Sequence, residues 1–228
     1  MSKSSNRNLT VLNARNFRGL PILQFKNGVY GEYLYNNLNL IYHALNRYAK
    51  VFAVRVDLRF PDYYNTDDNR YVTRFIESLK AKVTADYIAK CKNTEGYVHQ
   101  SEVLYIWVQE TGQLNRPHYH LCLFFNGNAY RSLGVFELGR PNMYNRIVNA
   151  WASALALDVV AAQGLVHFPK TPFYQLERVE LGRIHLDHTI RELFRRLSYF
   201  AKVDSKTYGD GRRHYGCSRF LGRLQVGD

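Results

Sequence analysis

The sequence lacks several features that would have fixed its class at once. No apolar run approaches the ~20 residues that a membrane-spanning helix needs, and no signal peptide is recognisable, so we expect a cytoplasmic protein without a membrane segment. The three cysteines are odd in number and widely spaced, with no CxxC pair, which favours reduced thiols over a disulfide framework. No GxxxxGK[ST] loop occurs, so we expect no nucleotide cofactor.

Acidic residues are also scarce relative to basic ones. Lys and Arg total 31 against 19 Asp and Glu, which gives a net charge of +12. This balance favours an anionic partner, most commonly nucleic acid, with an anionic membrane surface as the competing interpretation. The 18 tyrosines suit stacking on bases as well as packing in a core.

The periodicity of the apolar residues predicts one domain of mixed α and β character. Glycine and proline interrupt residues 1–30, which predicts a partly irregular arm before a single domain at 31–228. Helical spacing predicts helices over 33–50, 69–92 and 142–157, and a last helix capped by Asp187. Strands are predicted over 51–60, 102–109, 118–125 and 165–168. His167 in the last of these is most simply a packed strand residue.

A His-x-His pattern in the strand over 118–125 is the first candidate site. His118 and His120 project from the same face of the strand, roughly 7 Å apart along it. Glu110 ends the preceding strand, and a connection containing Gly, Asn and Pro predicts a hairpin that returns its carboxylate to the histidines. One carboxylate and two imidazoles with open positions favour Mg²⁺ or Mn²⁺ over structural zinc. The alternative is a pair of core histidines satisfied by backbone carbonyls.

The last helix carries the second candidate. Its apolar stripe runs from Ile190 to Ala201, and Tyr199 falls on the opposite side, with the cations Arg191, Arg195 and Lys202. These cations could hold a phosphate beside the tyrosine hydroxyl, although a surface tyrosine on a solvated basic face is the simpler interpretation for an arbitrary helix.

Other charged residues are weaker candidates. A second metal site at His185 and His188 is not favoured, because no set of carboxylate or thiol partners accompanies the two histidines. The glycine-rich tail is predicted to be a loop that contacts DNA backbone. Asp57 lies on a charged strand face, for which a solvated outer face is an equally good interpretation. The candidate nucleic-acid contacts are Arg55, Arg59, Arg191, Arg195, Lys206, Arg212 and Arg213.

These blocks together resemble the HUH endonucleases, the rolling-circle replication initiators of small phages, plasmids and single-stranded DNA viruses. The strand over 51–60 looks like the family's first motif, and Glu110 followed by Pro117-His118-Tyr119-His120 is similar to its metal motif. Tyr199-Phe-Ala-Lys202 resembles its Tyr-x-x-Lys nucleophile motif. The compact size and single tyrosine look most like the inovirus-type branch of phages and integrated elements.

The resemblance implies an α+β fold with a central antiparallel sheet of about five strands that carries the histidines, flanked by helices, with the nucleophile on a C-terminal helix. It implies that Glu110, His118 and His120 hold a divalent ion, that Tyr199 attacks a single-stranded or origin-hairpin DNA to give a 5′-phosphotyrosine, and that Lys202 assists and could lower the tyrosine pKa. The setting would be a bacterial host cell, with its helicase and polymerase as partners.

Alternatives with the same chemistry are a mobilisation relaxase and a single-strand transposase, and one of a different class is a non-catalytic DNA-binding regulator. Tyr208 and Tyr215 are rival nucleophiles in the basic tail. The sequence departs from the family in three ways. No second tyrosine stands at the close spacing of two-tyrosine initiators, and the aspartate that follows the lysine directly in some relatives is displaced to Asp204. No GxxxxGK[ST] loop occurs, so the fused helicase of some viral relatives is not expected.

Overall fold

The fold is built on an antiparallel sheet with helices on both faces. A computed structural model describes residues 8–62, 64, 69–111, 117–178, 187–204, 206 and 213–219. The helices are α1 (Gly31–Arg47), α2 (Arg70–Asn93), α3 (Met143–Leu155), α4 (Val159–Gln163) and α5 (His188–Leu197), the last followed by a 3-10 turn at Ser198–Ala201. The strands are β1 (Val11–Leu12), β2 (Asn16–Phe17), β3 (Leu20–Pro21), β4 (Val29–Tyr30), β5 (Lys50–Arg59), β6 (Leu104–Thr111), β7 (Pro117–Asn126), β8 (Val166–His167), β9 (Phe173–Glu177) and β10 (Tyr215–Cys217).

The main sheet has six strands, and the prediction of an α+β fold with an antiparallel sheet flanked by helices is confirmed. Its order is β10-β6-β7-β5-β8, and β9 pairs with the same edge of β5 as β8 does. β8 covers Asp57 and Leu58, whereas β9 covers the half from Lys50 to Val54. β5 and β7 pair along nearly their whole length, so these two strands form the middle of the sheet.

The two faces of the sheet bury separate cores because side chains alternate along each strand. One face of β5, with Phe52, Val54, Val56 and Leu58, packs against α2 and α3. The other face begins with the apolar Val51 and Ala53, which pack with α1, α5 and the arm. From Arg55 onward this second face is charged. The candidate site residues of β5 therefore lie on the side of the sheet that α5 covers.

The structure corrects four details of the predicted elements. The last helix ends at Leu197, so Tyr199 lies in the 3-10 turn and not on the regular helix. Tyr215 belongs to the edge strand β10 and not to a loop, and β9 had not been predicted. The arm is not merely irregular, because β1 pairs with β4 and β2 with β3, and Leu20 and Ile22 are buried in the core. Among the described residues, no helix is both long and apolar enough to cross a membrane.

Candidate functional site

Glu110, His118 and His120 converge on the charged face of the sheet. The β6–β7 hairpin places Glu110 directly opposite His118, and His120 follows on the same face of β7. The Nε2 atoms of the two imidazoles are 3.0 Å apart, and Oε2 of Glu110 lies 3.4 Å from Nε2 of His120. One ligand atom from each residue falls within 4.8 Å of the other two. The predicted hairpin thus brings these three residues together as the sequence analysis expected.

This donor set fits a small divalent ion. Two ligand atoms at about 2.1 Å from one ion and at a right angle to each other would lie about 3 Å apart, which matches the separation of the two imidazole nitrogens. Glu110 is buried and the histidines are half-buried, so an ion held by these three residues would keep one side open to water or phosphate oxygens. Nitrogen and carboxylate donors with open positions are compatible with Mn²⁺, and less so with Mg²⁺, which prefers oxygen.

Asp57 orients one of these histidines. It lies opposite His120 in the β5–β7 pairing, and its Oδ1 is 2.6 Å from Nδ1 of His120. With Nδ1–H donated to the carboxylate, the Nε2 lone pair of His120 faces the cluster, which is the arrangement that metal-binding histidines commonly show. Burial alone would raise the pKa of Asp57, but the hydrogen bond and charge of His120 together with Arg55 lower it. Asp57 is therefore an ionised supporting residue and not a solvated surface acid.

Arg55 lies beneath the site. Only 6% of the residue is exposed, and its guanidinium donates to the Leu121 carbonyl, lies 3.4 Å from Oδ1 of Asp57 and packs 4.5 Å from the Phe200 ring centre. Burial lowers the pKa of Arg55, and the charge of Asp57 opposes that shift. This placement favours a role in holding Asp57 over the predicted direct contact with nucleic acid.

Tyr199 reaches the cluster from the 3-10 turn. Its hydroxyl donates to Oε2 of Glu110 at 3.0 Å and accepts from Nζ of Lys202 at 3.1 Å. Burial raises the pKa of Tyr199, and the Glu110 charge adds to that effect, whereas Lys202 acts in the opposite direction. Lys202 is thus close enough to favour the phenolate, but burial and the charge of Glu110 outweigh its effect on the pKa of Tyr199.

The N-terminal arm holds the turn that carries Tyr199. The Leu23 amide donates to Oγ of Ser198 at 2.8 Å, and Val29 forms a β-bridge with Lys202. Phe25 packs edge-on against the Tyr199 ring, with 5.9 Å between ring centres. Nothing in the arm's sequence indicated this contact, because it depends on how residues far apart in sequence meet.

Two lysines lie beside the Glu110 carboxylate, one near each oxygen. Nζ of Lys202 lies 3.8 Å from Oε2 of Glu110, and Nζ of Lys206 lies 3.9 Å from Oε1. The Lys206 side chain is fully buried and donates to the Lys202 carbonyl at 2.9 Å. Burial lowers the pKa of Lys206 to about 8, although Glu110 opposes the shift. Lys206 had been predicted to contact nucleic acid, and its burial makes it a partner of Glu110 instead.

The remaining predicted cations lie at the surface. Arg59 is exposed at the end of β5 opposite His118, Arg191 and Arg195 are exposed on α5, and Arg213 is exposed beside β10. Their contact with nucleic acid stays a prediction. Arg212 lies outside the described residues.

Three further residues have placements that the sequence did not reveal. Tyr215 stacks on Tyr33 with 4.0 Å between ring centres, and its hydroxyl donates to Oδ1 of Asn37, so it is held away from the site. Asp204 accepts a hydrogen bond from Asn27 in the arm. His167 is exposed, and its Nδ1 lies 3.7 Å from Oδ2 of Asp57. The rival Tyr208 lies outside the described residues.

His188, the first residue of α5, is not part of the cluster. His188 is exposed and faces Glu192 at 3.6 Å on the same helix. His185 lies outside the described residues.

Comparison with known proteins places the chain in a family. The chain is 34% identical over 197 residues to the uncharacterized protein YagK of Escherichia coli (strain K12), a match that covers 82% of this chain and 92% of that protein. It is 35% identical over 186 residues to the uncharacterized protein YfjJ of the same organism, covering 77% and 88%. No solved structure matches significantly. The family model of the YagK/YfjJ C-terminal domain matches residues 12–218, and the chain therefore belongs to that family.

Proposed function

We propose that this protein is a metal-dependent single-stranded DNA endonuclease and strand transferase that initiates rolling-circle replication with Tyr199 as its nucleophile. The observation that carries the proposal is the 3.0 Å hydrogen bond between the Tyr199 hydroxyl and Glu110, a member of the candidate ion-binding cluster. A nucleophile placed at the edge of an ion site can meet a phosphate whose oxygens the same ion binds. Among the described residues, the other candidate tyrosine, Tyr215, is packed on Tyr33.

The charge of the protein supports a polyanionic substrate. The net charge is +12, and Lys202, together with the exposed Arg59 and Arg195 on nearby elements, provides cations for phosphates. A divalent ion held by Glu110, His118 and His120 would polarise a phosphate oxygen and stabilise developing negative charge.

The residues of the chain would perform the transfer as follows. The Tyr199 oxygen attacks the phosphorus, and the bond between phosphorus and the 3′-oxygen breaks to leave a 5′-phosphotyrosine. The 3′-oxygen leaves as an oxyanion that takes a proton from water and becomes the 3′-hydroxyl. The hydroxyl proton of Tyr199 is directed at Oε2 of Glu110, and Lys202 donates to the same hydroxyl oxygen, which stabilises the charge that develops there as the proton leaves. Because the phosphodiester energy is kept in the tyrosine ester, attack by a 3′-hydroxyl rejoins the strand without ATP.

In this proposal the protein works in the cytoplasm of a bacterial cell, where host helicase and polymerase would extend the released 3′-hydroxyl. A relaxase or transposase would use the same chemistry on a transfer origin or an element end. A substrate panel of these three DNA types separates the roles, since only the cognate DNA should be cleaved at one position.

The deciding experiment is a search for a covalent adduct. Incubating the protein with single-stranded DNA of its own genetic element and Mn²⁺ should give a slower band on a denaturing gel, and none with excess chelator. Tyr199→Phe should abolish the adduct and bind DNA with nearly unchanged affinity, because only one hydroxyl is lost; Tyr208→Phe is the matched control and should still form it. Peptide mapping of an adduct to another tyrosine refutes the assignment. Tight DNA binding without any adduct would favour the non-catalytic regulator.

A further inference from the structure

A basic cavity lies on the face of the sheet opposite the candidate ion-binding cluster of Glu110, His118 and His120. Its volume is about 650 Å³, and it runs between α2 and the edge formed by β6 and β10. We refer to it as the α2–β10 groove. The residues that matter for its chemistry are Lys80, Thr84, Gln100, Tyr105, Arg213 and Arg219.

The α2–β10 groove combines positive charge with an aromatic ring. Lys80, Arg213 and Arg219 bring three cations to its lining, against one lining acid, Glu102, which forms an ion pair with Arg47. Lys80 also forms an exposed ion pair on α2 with Glu77 at 3.0 Å, which solvent screens. Arg213 and Arg219 are exposed, so both guanidinium groups can reach a bound anion. Tyr105 is only half-buried, with Nζ of Lys80 lying 6.0 Å from its ring centre. Cations interleaved with an aromatic ring are what single-stranded nucleic acid requires of a binding groove.

A chain of hydrogen bonds links the end of this groove to the strand that carries Glu110. The Arg213 amide donates to Oδ1 of Asn69, whose Nδ2 donates to Oε1 of Gln109. Gln109 precedes Glu110 on β6. Its backbone amide donates to the His214 carbonyl at 3.1 Å, so this part of β6 is also tied to the segment that carries Arg213. From Tyr105 to Glu110 the strand rises about 17 Å at 3.4 Å per residue. One nucleic-acid strand can therefore reach from the ion-binding cluster past β10 into the groove.

We propose that the α2–β10 groove binds single-stranded nucleic acid, namely the segment that flanks the nucleotides held at the ion-binding cluster. Phosphates contact Lys80, Arg213 and Arg219, and a base packs on Tyr105. The proposal rests on the proposed function for the identity of the strand. A free nucleotide has the same chemistry, but three cations spread along an open groove suit successive phosphates of one strand better than a single phosphate group.

The test compares two variants with equal loss of charge. The groove variant is Lys80→Ala/Arg213→Ala/Arg219→Ala, and the control is Lys92→Ala/Arg131→Ala/Arg140→Ala, whose three cations are exposed outside the groove. Both are made in a Tyr199→Phe background, and circular dichroism checks that they fold. Fluorescence anisotropy then gives the affinity for an oligonucleotide of about 20 nucleotides over a range of salt concentrations.

The groove variant should lower the slope of log K against log salt by about 2, because each lost phosphate contact on a single strand contributes ~0.7. Its affinity at 0.1 M salt should fall by about 100-fold, and the control should lose less than a tenth of that factor. Equal slopes in the two variants overturn the proposal, as does a free deoxynucleotide that competes fully for the groove. A bromodeoxyuridine-substituted oligonucleotide should photocrosslink to Tyr105, and crosslinks confined to Glu110, His118 and His120, assigned to single residues by fragmentation of the peptide that they share with Tyr105, also overturn it.

These measurements do not require strand cleavage. If the groove variant loses affinity and no tyrosine adduct ever forms, the groove stands and the endonuclease proposal fails. If the adduct forms and the two variants bind alike, the groove fails and the endonuclease proposal stands.

Discussion

Replacing Asp57 by Asn isolates the contribution of a charge that lies behind the candidate ion site. The Asp57 carboxylate contacts Nδ1 of His120 at 2.6 Å and does not belong to the ion-binding cluster itself. Asn has the same shape and can still accept a hydrogen bond, so His120 is kept in place. The substitution removes the negative charge that makes the imidazole of His120 a stronger electron-pair donor to an ion. The Asn amide can also donate N–H to Nδ1, which would favour the tautomer with its proton on Nε2, the nitrogen that faces the cluster.

The expected loss of ion affinity is about 10- to 100-fold, the effect usually seen when the partner of a metal-binding histidine is replaced. This corresponds to ~1.4–2.8 kcal/mol of binding free energy. The variant should also be less stable, because Arg55 is buried and loses its carboxylate partner at 3.4 Å. Since Arg55 keeps its bond to the Leu121 carbonyl, we expect the loss of unfolding free energy to be at the lower limit for a broken buried pair, ~3 kcal/mol.

The assay is an electron paramagnetic resonance titration of Mn²⁺, at a temperature where circular dichroism shows both proteins folded. Nitrogen NMR of the imidazoles provides a second measurement, because the His120 proton should lie on Nδ1 in the wild type and be redistributed in the variant. His167→Ala is the matched control: this exposed side chain is 3.7 Å from the other oxygen of Asp57, and its loss should change the affinity less than twofold. Asp57→Asn protein that binds Mn²⁺ as tightly as the wild type would refute the reasoning.

Three other perturbations have defined outcomes. Lys206→Met removes an ammonium group 3.9 Å from Oε1 of Glu110 and should tighten Mn²⁺ binding. The expected gain in affinity is about tenfold, the Coulomb energy of a charge about 6 Å from a divalent ion at the dielectric constant of water. Weaker binding in the same titration contradicts this. The pKa of Lys206 is lowered from 10.5 to about 8 in the folded protein, so between these pH values the unfolded chain holds more protons than the folded one. The unfolding free energy of the wild type should therefore rise with pH relative to that of Lys206→Met. Parallel curves of unfolding free energy against pH, from urea titrations, would count against it. Gly216→Val should destabilise the protein by ~1–3 kcal/mol, since even a Cβ at this position would lie 2.5 Å from the Trp107 ring. Gly164→Ala is the control and should change stability little, because a Cβ there would meet no atom within 4 Å. Equal urea midpoints for the two variants would show that β10 can shift.

The elements that the sequence predicted are those with a long periodic pattern. β5 alternates over ten residues, and α2 repeats its apolar positions over 24, so their ends were predicted within two residues. β10 has three residues, with a glycine in the middle, and offers no pattern to read. β9 was missed for a related reason, because a short strand at the sheet edge has little to distinguish it from a loop. Tyr199 was placed on a regular helix because its 3-10 turn continues the same apolar spacing.

The candidate site was predictable where it depends on local geometry. A hairpin and a two-residue period suffice to bring Glu110 to His118 and His120, and the structure shows that they do. The roles of Asp57 and Lys206 depend on the pairing of β5 with β7 and on the path of the chain after the 3-10 turn. Neither is encoded in a local pattern, although Asp57 is a half-buried partner of the cluster and Lys206 a buried one.

Because the arm holds the Tyr199 turn, we expect the two parts of the site to differ in local stability. The candidate ion-binding residues belong to one hairpin in the middle of the sheet, whereas the turn is held by Leu23, Val29 and Phe25 of the arm. Local opening that releases the arm would carry the tyrosine away and leave the hairpin intact. Hydrogen exchange should therefore be faster at the Tyr199 turn than in β7. Under the proposed function, release of the arm would then prevent attack by Tyr199 without loss of the ion, and DNA that contacts both parts would hold them together.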